Sequence, residues 1–519
     1  TLPIWSFGFT EHISEFANGA KTFQIKLPPD ALNNQSQVKL MLSSSLLGSL
    51  PAAMEYLLDY PYGCVEQTTS HFVPVVIARL NTGLFSEAIK NKDLDAMVVK
   101  GVDHLAELQN SSGAWGWWYD EENKPFVSAY VLEYLLKARS TGIKIDNTVI
   151  TRAQQYFTDS WGEDENNKPA SIAKYYALGL LGTKAKFKFN FDLTQLTPDK
   201  LALAVMANYM AGNTDPATNG LSILESKADR RGGRASWASG DYDLFGSVDA
   251  STALAMRAII FAHGNSDLVR EGARYLLENR RQSYWSNTFA TAQIIQAVVD
   301  LHQIDKQASA NSSYQVLLNG AELTNGRIAD NTKSVEILIS TSSLNLGLGT
   351  LEVKPAEGAV LYSNFIVKEF RTDPNAPAMD NGLKVKREYV SSRGDGKFIA
   401  VGDRVTVVTT VTGLKEGDRY VVVDDELPSG LIPINTNLKN NQVSNDEQRA
   451  FYFDVGYKLN GASMSTYYVY AGDTVFKYDA RAVSSGVFQV PPVSASLMYA
   501  PTTLGRSGAQ SLEIFTLDK

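Results

Sequence analysis

Apolar positions recur with two different periods along the chain, and the switch between them divides it into blocks. From residue 1 to about 49, short runs alternate apolar and polar residues, as in Phe23-Gln24-Ile25-Lys26-Leu27 and Gln37-Val38-Lys39-Leu40-Met41-Leu42. Pro28-Pro29 and Asn33-Asn34 break them, and a period of two with such breaks predicts strands. From about 50 to about 305 the period is helical. Thr197-Pro198 opens and Gly212 closes one segment, and Asp249 opens and Gly264 closes another, which are the residue types that start and stop helices. Segments of this kind predict about a dozen helices in pairs. After about 306 the alternation returns in Tyr314–Leu318, Ser334–Ile339 and Ala359–Tyr362. Beyond a linker-like stretch, Arg371–Ala378, it recurs in Leu383–Tyr389, Arg404–Val411, Arg419–Asp424 and Ser485–Val490, as in an antiparallel sandwich.

An internal repeat organises the helical block. Ser128-Ala129-Tyr-Val-Leu132-Glu-Tyr-Leu135-Leu136 aligns with Thr252-Ala253-Leu-Ala-Met256-Arg-Ala-Ile259-Ile260 and with Thr291-Ala292-Gln-Ile-Ile295-Gln-Ala-Val298-Val299. Each copy follows a tryptophan-bearing loop, at 113–120, 234–243 and 283–288. A small Ser/Thr-Ala pair lets helices approach closely, and the apolar positions after it form a buried stripe. The pattern fits helical hairpins closing into an α/α toroid; an open helical array is the alternative. The expected fold class is multidomain α + β: an α/α toroid inserted in a β domain, followed by a β-sandwich. The expected boundaries are 1–49 and 306–372 for the two parts of the interrupted β domain, 50–305 for the toroid and 373–519 for the sandwich.

Composition changes this picture little, since 519 residues suffice for about three or four domains. A net charge of −8 argues against nucleic acid or an anionic membrane surface as the main partner. No apolar run reaches the roughly 18 residues that a membrane helix needs. The chain opens on Thr1 rather than on methionine or a basic leader, so any signal or lipid anchor is expected upstream. A single cysteine, Cys64, excludes an intramolecular disulfide and a zinc site with two cysteine ligands.

That cysteine stands in Pro61-Tyr62-Gly63-Cys64-Val65-Glu66-Gln67-Thr68-Thr69-Ser70, just before an apolar run. Gly63 reads as a turn and Cys64 as the first turn of a helix. Residues three apart in a helical turn share a face, so the Cys64 thiol and the Gln67 carboxamide can meet. Attack of the thiolate on the amide carbon would expel ammonia and leave an internal β-cysteinyl-γ-glutamyl thioester. The bond would be an acyl electrophile in reserve, discharged by an amine or hydroxyl, and it would hydrolyse unless kept dry. Tyr60, Tyr62 and the tryptophan loops fit that need, and a helix N-terminus lowers a thiol pKa. The pair Cys-x-x-Gln by itself suits an inert buried cysteine equally well.

The longer string strongly resembles the thioester motif of the α2-macroglobulin family in its bacterial form. Asp424-Asp425-Glu426-Leu427-Pro428-Ser429-Gly430-Leu431, with Leu497-Met498-Tyr499-Ala500-Pro501 and Gly505-Arg506-Ser507, resembles that family's C-terminal macroglobulin domain. The resemblance implies a thioester domain interrupting a CUB-like β domain, followed by a receptor-binding-like domain. By the same resemblance, 1–49 is expected to include the end of a preceding macroglobulin domain, and the bait segment and the other upstream domains are expected to lie outside this stretch. In the family, protease cleavage of the bait exposes the thioester, which acylates a lysine amine on the protease. The implied protein is a single-use covalent endopeptidase inhibitor, not an enzyme, without cofactor or metal, with proteases as partners. It is expected to be monomeric and periplasmic, to serve in bacterial defence and to be anchored by an upstream lipid. The thioester pair falls on Cys64 and Gln67, supported by Tyr62, Gly63 and Glu66, while Val65 stands where animal members carry glycine. Tyr499, with Met498 beside it, is the expected shield. No histidine lies between His104 and His263, where complement relatives use one to favour hydroxyls, so amines are the expected acceptors.

Two other readings stay open at this point. One is a toroid enzyme acting on carbohydrates or isoprenoids, with Asp120-Glu121-Glu122 and Asp241-Tyr242-Asp243 as possible acid/base groups, though these fit solvated loops and an Asp-x-Asp-Asp acid is absent. The other is a non-covalent adhesion protein whose Cys64 never forms the bond. His12, His71, His104, His263 and His302 lack metal-ligand spacing, and Arg230-Arg231 and Arg280-Arg281 read as surface pairs.

Overall fold

The computed structural model describes residues 8–45, 47–58, 64–81, 93–118, 122–184, 187–238, 246–264, 266–280, 284–304, 312–330, 333–344, 348–391, 398–415, 419–436, 453–468, 472–498 and 500–516. The chain divides into two compact units, one of Thr1–His12, Leu27–Gln37 and Lys368–Lys519, the other of Ile13–Lys26 and Val38–Val367.

The larger unit holds the helices: α1 (Pro51–Leu58), α2 (Val65–Leu80), α3 (Leu94–Glu107), α4 (Pro125–Ser140), α5 (Asn147–Asp159), α6 (Glu163–Asn166), α7 (Ser171–Leu180), α8 (Pro198–Ala211), α9 (Thr214–Ser226), α10 (Val248–His263), α11 (Asp267–Glu278) and α12 (Thr288–Ile304). The start of α1 at Pro51 matches the change of period. Helix α2 packs on α4, α4 on α7, α7 on α8, α8 on α10, α10 on α12, and α12 back on α2. This closed circuit is an α/α toroid, and α3, α5, α9 and α11 pack outside it on α2, α7, α8 and α10. Inner helices are buried along most of their length, whereas α11 buries one stripe, Val269, Gly272, Ala273, Leu276 and Leu277. Thr197 stands at the N-cap of α8, without a side-chain capping bond, Pro198 takes the first helical position, and Gly212 ends the helix at φ 80°, at the positions the sequence predicts. At α10 the cap is Ser247, not Asp249: its hydroxyl accepts from the Ala250 N–H at 3.1 Å. Asp249, the second residue of the helix, takes the Ser286 N–H instead.

The repeat has a hydrogen-bonded meaning beyond small size. The Ser128 hydroxyl accepts the Trp115 backbone N–H at 2.9 Å, Thr252 that of Trp237 at 3.1 Å and Thr291 that of Trp285 at 3.1 Å. Each indole N–H donates to a carbonyl of the preceding outer helix: Leu105 at 2.7 Å, Leu224 at 2.7 Å and Leu276 at 2.6 Å. All three indoles are fully buried, so both polar groups need these partners. One joint, used three times, fastens an outer helix to the next inner one.

The same unit contains a four-stranded sheet ordered Lys21–Lys26, Leu348–Pro355, Ser312–Leu318, Ala321–Ile328, with antiparallel neighbours. A second sheet is ordered Phe9–Asn18, Tyr362–Arg371, Gln37–Ser43, Ser334–Ile339. In both, strands from before the helices pair with strands from after them, for example Val38 opposite Ile339. The toroid is thus an insertion within one β domain.

In the smaller unit two sheets form a sandwich, Met379–Asn381, Ala500–Arg506, Ser494–Leu497, Arg419–Glu426, Gly461–Tyr468, Phe453–Lys458 facing Lys384–Ser391, Arg404–Leu414, Gly472–Ala482, Leu431–Pro433. Val405, Val407, Val421, Val423, Met464, Phe476 and Leu497 lie in the core between them. Asp425 is fully buried there, held by Arg387 and by the Tyr478 hydroxyl at 3.0 Å. A Cβ at Gly430 would sit 2.5 Å from the Phe488 ring, so the Pro-Ser-Gly of the first C-terminal string marks a close approach. Arg371, the first residue of the expected linker, is tied to both Asp30 oxygens at 2.9 and 2.8 Å, Thr372 donates to the Asp30 carbonyl, and buried Ala376 accepts the Ala509 N–H at 2.9 Å, so the stretch is pinned rather than free.

Candidate functional site

Cys64 is the N-cap of α2, at φ −66° and ψ 164°, rather than a residue of its first turn. Its carbonyl accepts the first helical bond, from Thr68 at 2.8 Å. Gln67, the third helical residue, turns its side chain back, and its Oε1 accepts the Cys64 N–H at 3.4 Å. This is the return arm of a capping box, and it folds the carboxamide over Cys64. The N–H that holds the oxygen also polarises the amide carbon a thiolate would attack. Cys64 and Gln67 are 2% and 1% exposed. The first tryptophan loop reaches the same spot, since the Trp117 carbonyl accepts the Val65 N–H at 2.9 Å. Trp115 in that loop is a joint of the ring, and Trp117 is a wall of the site.

Glu66, between the two, is fully buried. Its carboxylate accepts the Ser70 hydroxyl at 2.5 Å, one turn on, and the Thr288 hydroxyl at 2.8 and 3.0 Å, from the start of α12. Ser70 also meets the Tyr130 hydroxyl of α4 at 3.0 Å. Burial and then the Glu66 charge hold the Tyr130 phenol well above its ordinary pKa, so it stays neutral. Pro74 stands inside α2 and lacks the N–H that would bond the Ser70 carbonyl, so the regular ladder breaks just after the site-bearing turns.

At the ring axis lies a second buried carboxylate, Glu133. Arg257 reaches it at 2.5 Å, Lys137 at 2.8 Å and the Tyr176 hydroxyl at 3.0 Å. Burial pushes its pKa up, but the Arg257 and Lys137 charges outweigh burial and hold it at about 2. Arg257 also bonds Gln293 at 2.5 Å and Lys137 bonds Gln296 at 2.7 Å. The adjoining cavity, lined by Phe126, Tyr130, Glu133, Tyr176, Arg257 and Gln293, measures about 20 Å³, room for one water and not for a sugar ring or an isoprenoid. A carboxylate so firmly ionised is also a poor general acid.

The structure therefore brings Cys64, Glu66 and Gln67 together. Tyr62 and Gly63 lie outside the described residues, as do Tyr60 and Tyr499. Met498 is buried, its N–H on the Tyr420 carbonyl at 2.8 Å. Of the acidic groups, Asp120, Glu121, Asp241, Tyr242 and Asp243 lie outside the described residues. Glu122 is exposed, 2.8 Å from Lys124, whose hydrogen bond lowers its pKa. His104 sits 3.5 Å from Glu107 and His263 3.1 Å from Glu225; among the described residues no three His, Cys, Asp or Glu side chains cluster as for a metal. Arg280, expected at the surface, is buried, with its guanidinium over the Trp285 ring.

Sequence reasoning missed Thr288, Ser70, Glu133 and Arg257, and named Trp117 only as part of its loop. A signal for two of them was present: Glu133, Arg257 and Gln296 occupy the same position of the three repeat copies, and equivalent inner-helix positions must meet at the axis of a ring. Ser70 stands at helical spacing from Glu66, whereas Thr288 is 222 residues away.

A helical ring interrupting a β domain, with a β-sandwich in the same chain, is the domain plan of the macroglobulin class. Comparison narrows the class, and the chain belongs to the bacterial α2-macroglobulin family. Residues 36–165 match the A-macroglobulin TED domain and residues 382–502 the bacterial alpha-2-macroglobulin MG10 domain. The chain is 25% identical over 394 residues to the alpha-2-macroglobulin of Thermotoga maritima, covering 75% of this chain and 22% of the relative. With that of Escherichia coli K12 it shares 23% over 543 residues, 94% of this chain and 31% of the relative. It thus spans about a quarter to a third of the length of these relatives. Native E. coli alpha-2-macroglobulin from domain MG7 to the C-terminus has the same fold, with a TM-score of 0.74 at 17% identity over 97% of this chain and 82% of that one. Salmonella alpha-2-macroglobulin reacted with methylamine superposes with a TM-score of 0.72 at 19% identity, over 98% of this chain and 33% of that one.

Proposed function

We propose that this chain carries the warhead of a covalent protease trap, an internal thioester between Cys64 and Gln67. The Cys64 thiolate attacks the Gln67 amide carbon, the C–N bond breaks and ammonia leaves. A lysine amine of an attacking protease then attacks the acyl carbon, which forms an amide and returns Cys64 as a thiol. The observation that carries this reading is the Gln67 carboxamide folded onto Cys64 in a buried helix start. The family relationship supports it, as does the existence of a Salmonella relative reacted with methylamine. Reaction is single-use and needs no cofactor. Tyr499 and Met498 are proposed as the shield, proteases as the partners and the periplasm as the compartment. The domain boundaries 1–49, 50–305, 306–372 and 373–519 belong to the same proposal.

Intact mass tests it. Native protein should be lighter than its sequence by one ammonia, with no titratable thiol until methylamine is added, when one thiol appears. Cys64→Ser and Gln67→Ala should abolish both signals. Full mass with a reactive Cys64 in freshly folded protein, before hydrolysis can act, would sink the thioester. Heating gives an independent sign, because attack by the Gln67 backbone nitrogen on its own acyl carbon splits the chain before Gln67. Amine preference fails if glycerol discharges the intact site as readily as methylamine.

A further inference from the structure

We propose that Thr288 is a positioning residue for the Cys64–Gln67 pair, holding the first turn of α2 through Glu66 at the seam where the helical ring closes. The inference rests on the thioester reading and extends it to a residue 222 positions from the motif.

The ring circuit ends where α12 packs against α2, and that seam is where the cysteine lies. Glu66 bridges it. Glu66 sits between Cys64 and Gln67 in the first turn of α2, and its side chain runs to Thr288 and Ser70 while that of Gln67 turns back to the Cys64 N–H. Fixing the Glu66 side chain therefore restrains the turn that carries the reacting groups. Thr288, the first residue of α12, places its hydroxyl within 2.8 and 3.0 Å of the two Glu66 oxygens. Its own helix start is firm, since Asn287 accepts the Ala290 N–H at 2.7 Å and both are buried. Ser70 holds the carboxylate from the other side at 2.5 Å and is tied to α4 through Tyr130 at 3.0 Å. The carboxylate so joins α2 to α12 directly and to α4 through Ser70.

Replacing an amide by a thioester is unfavourable in open solution. It proceeds only where the groups are held in attack geometry, which is worth effective molarities of about 10⁵–10⁸ M in well-oriented systems. A ring that closes on the turn between the reactants supplies such restraint, and it does so only after the last helix has docked. Bond formation thereby follows completion of the fold.

The test uses the whole chain with Thr288→Val, which keeps the shape and removes the hydroxyl, and Thr288→Ser, which restores it. Two quantities are read beside the melting temperature: the fraction of chains lighter by one ammonia, and amide hydrogen exchange over residues 64–70. Thr288→Val should lower the fraction by about tenfold and speed exchange by about tenfold, with Thr288→Ser returning both toward the parent, as loss of orientation predicts. A lower melting temperature with ammonia loss and exchange unchanged would mean a structural role alone and overturn the proposal. If Thr288→Val does not fold, Glu66→Met, which removes both acceptor oxygens, takes its place, and parent-like ammonia loss and exchange there overturn it equally. Full mass in the parent protein would refute the thioester and not the clamp. Exchange then decides: faster in Thr288→Val upholds the seam, unchanged removes it.

Discussion

Two glutamates are buried in the same helical ring and solvated by the protein in different ways. Glu133, at the axis, meets an arginine and a lysine and is held ionised down to about pH 2. Glu66, at the seam, meets the hydroxyls of Ser70 and Thr288. The axis is a charge-compensated rivet, costly to break because either partner would be stranded without water. The seam is a hydroxyl cradle whose directional bonds set orientation, and hydroxyl bonds are individually modest. Stability is thus concentrated at the axis and geometry at the seam, where the reacting pair lies.

The sharpest way to break this contrast is at the axis. Arg257→Met takes from Glu133 one of its two cations, leaving Lys137 at 2.8 Å, and should cost about 3–5 kcal/mol in urea unfolding, and Arg257→Met with Glu133→Met should recover part of it. If the double variant is as unstable as the single one, charge pairing is not what the axis supplies. Next comes pH. The folded carboxyl of Glu133 is lowered from 4.5 to about 2, so its contribution of about 3 kcal/mol is present above about pH 5 and is lost as pH falls toward 2. Glu133→Gln should flatten that limb of the stability profile. At the seam the effect is smaller: Glu66→Gln keeps an acceptor for the hydroxyls and should cost about 1–2 kcal/mol. A loss as large as that of Arg257→Met would erase the distinction. The smallest effect belongs to the ring joints, where Thr252→Val removes the acceptor of the Trp237 N–H and should cost about 1 kcal/mol, against near zero for Thr252→Ser.

What could be read from the sequence follows the range of the interactions. The switch from strand to helix period is local, and the helices begin at Pro51 where it falls. The approach of Gln67 to Cys64 spans three residues, so spacing alone predicts it; only the finer assignment differs, the cysteine capping the helix rather than lying within it. Strand Phe9–Asn18 was not foreseen because its FTEHISEFAN pattern alternates poorly. The stretch Ala359–Tyr362 alternates well, yet the strand starts only at Tyr362. The Ser/Thr of the repeats read as small residues, because a hydroxyl taking a backbone N–H from a loop is visible only once the ring is built. The same holds for Arg280, whose burial against Trp285 no local pattern announces.

The repeat has one last consequence. Its three copies place Glu133, Arg257 and Gln296 at one equivalent position, and their polar ends converge on the ring axis through Arg257 and Lys137. Copies that share a backbone plan could in principle be shuffled, as beads of one shape can be restrung. Their unlike tips forbid it: a glutamine in the place of Glu133 would leave Arg257 only the more distant Asp300, at 3.6 Å, and take the carboxylate from Lys137, and a second arginine would repel the first. The hairpins carry interchangeable joints and non-interchangeable tips, so their order around the ring is an address written in charge.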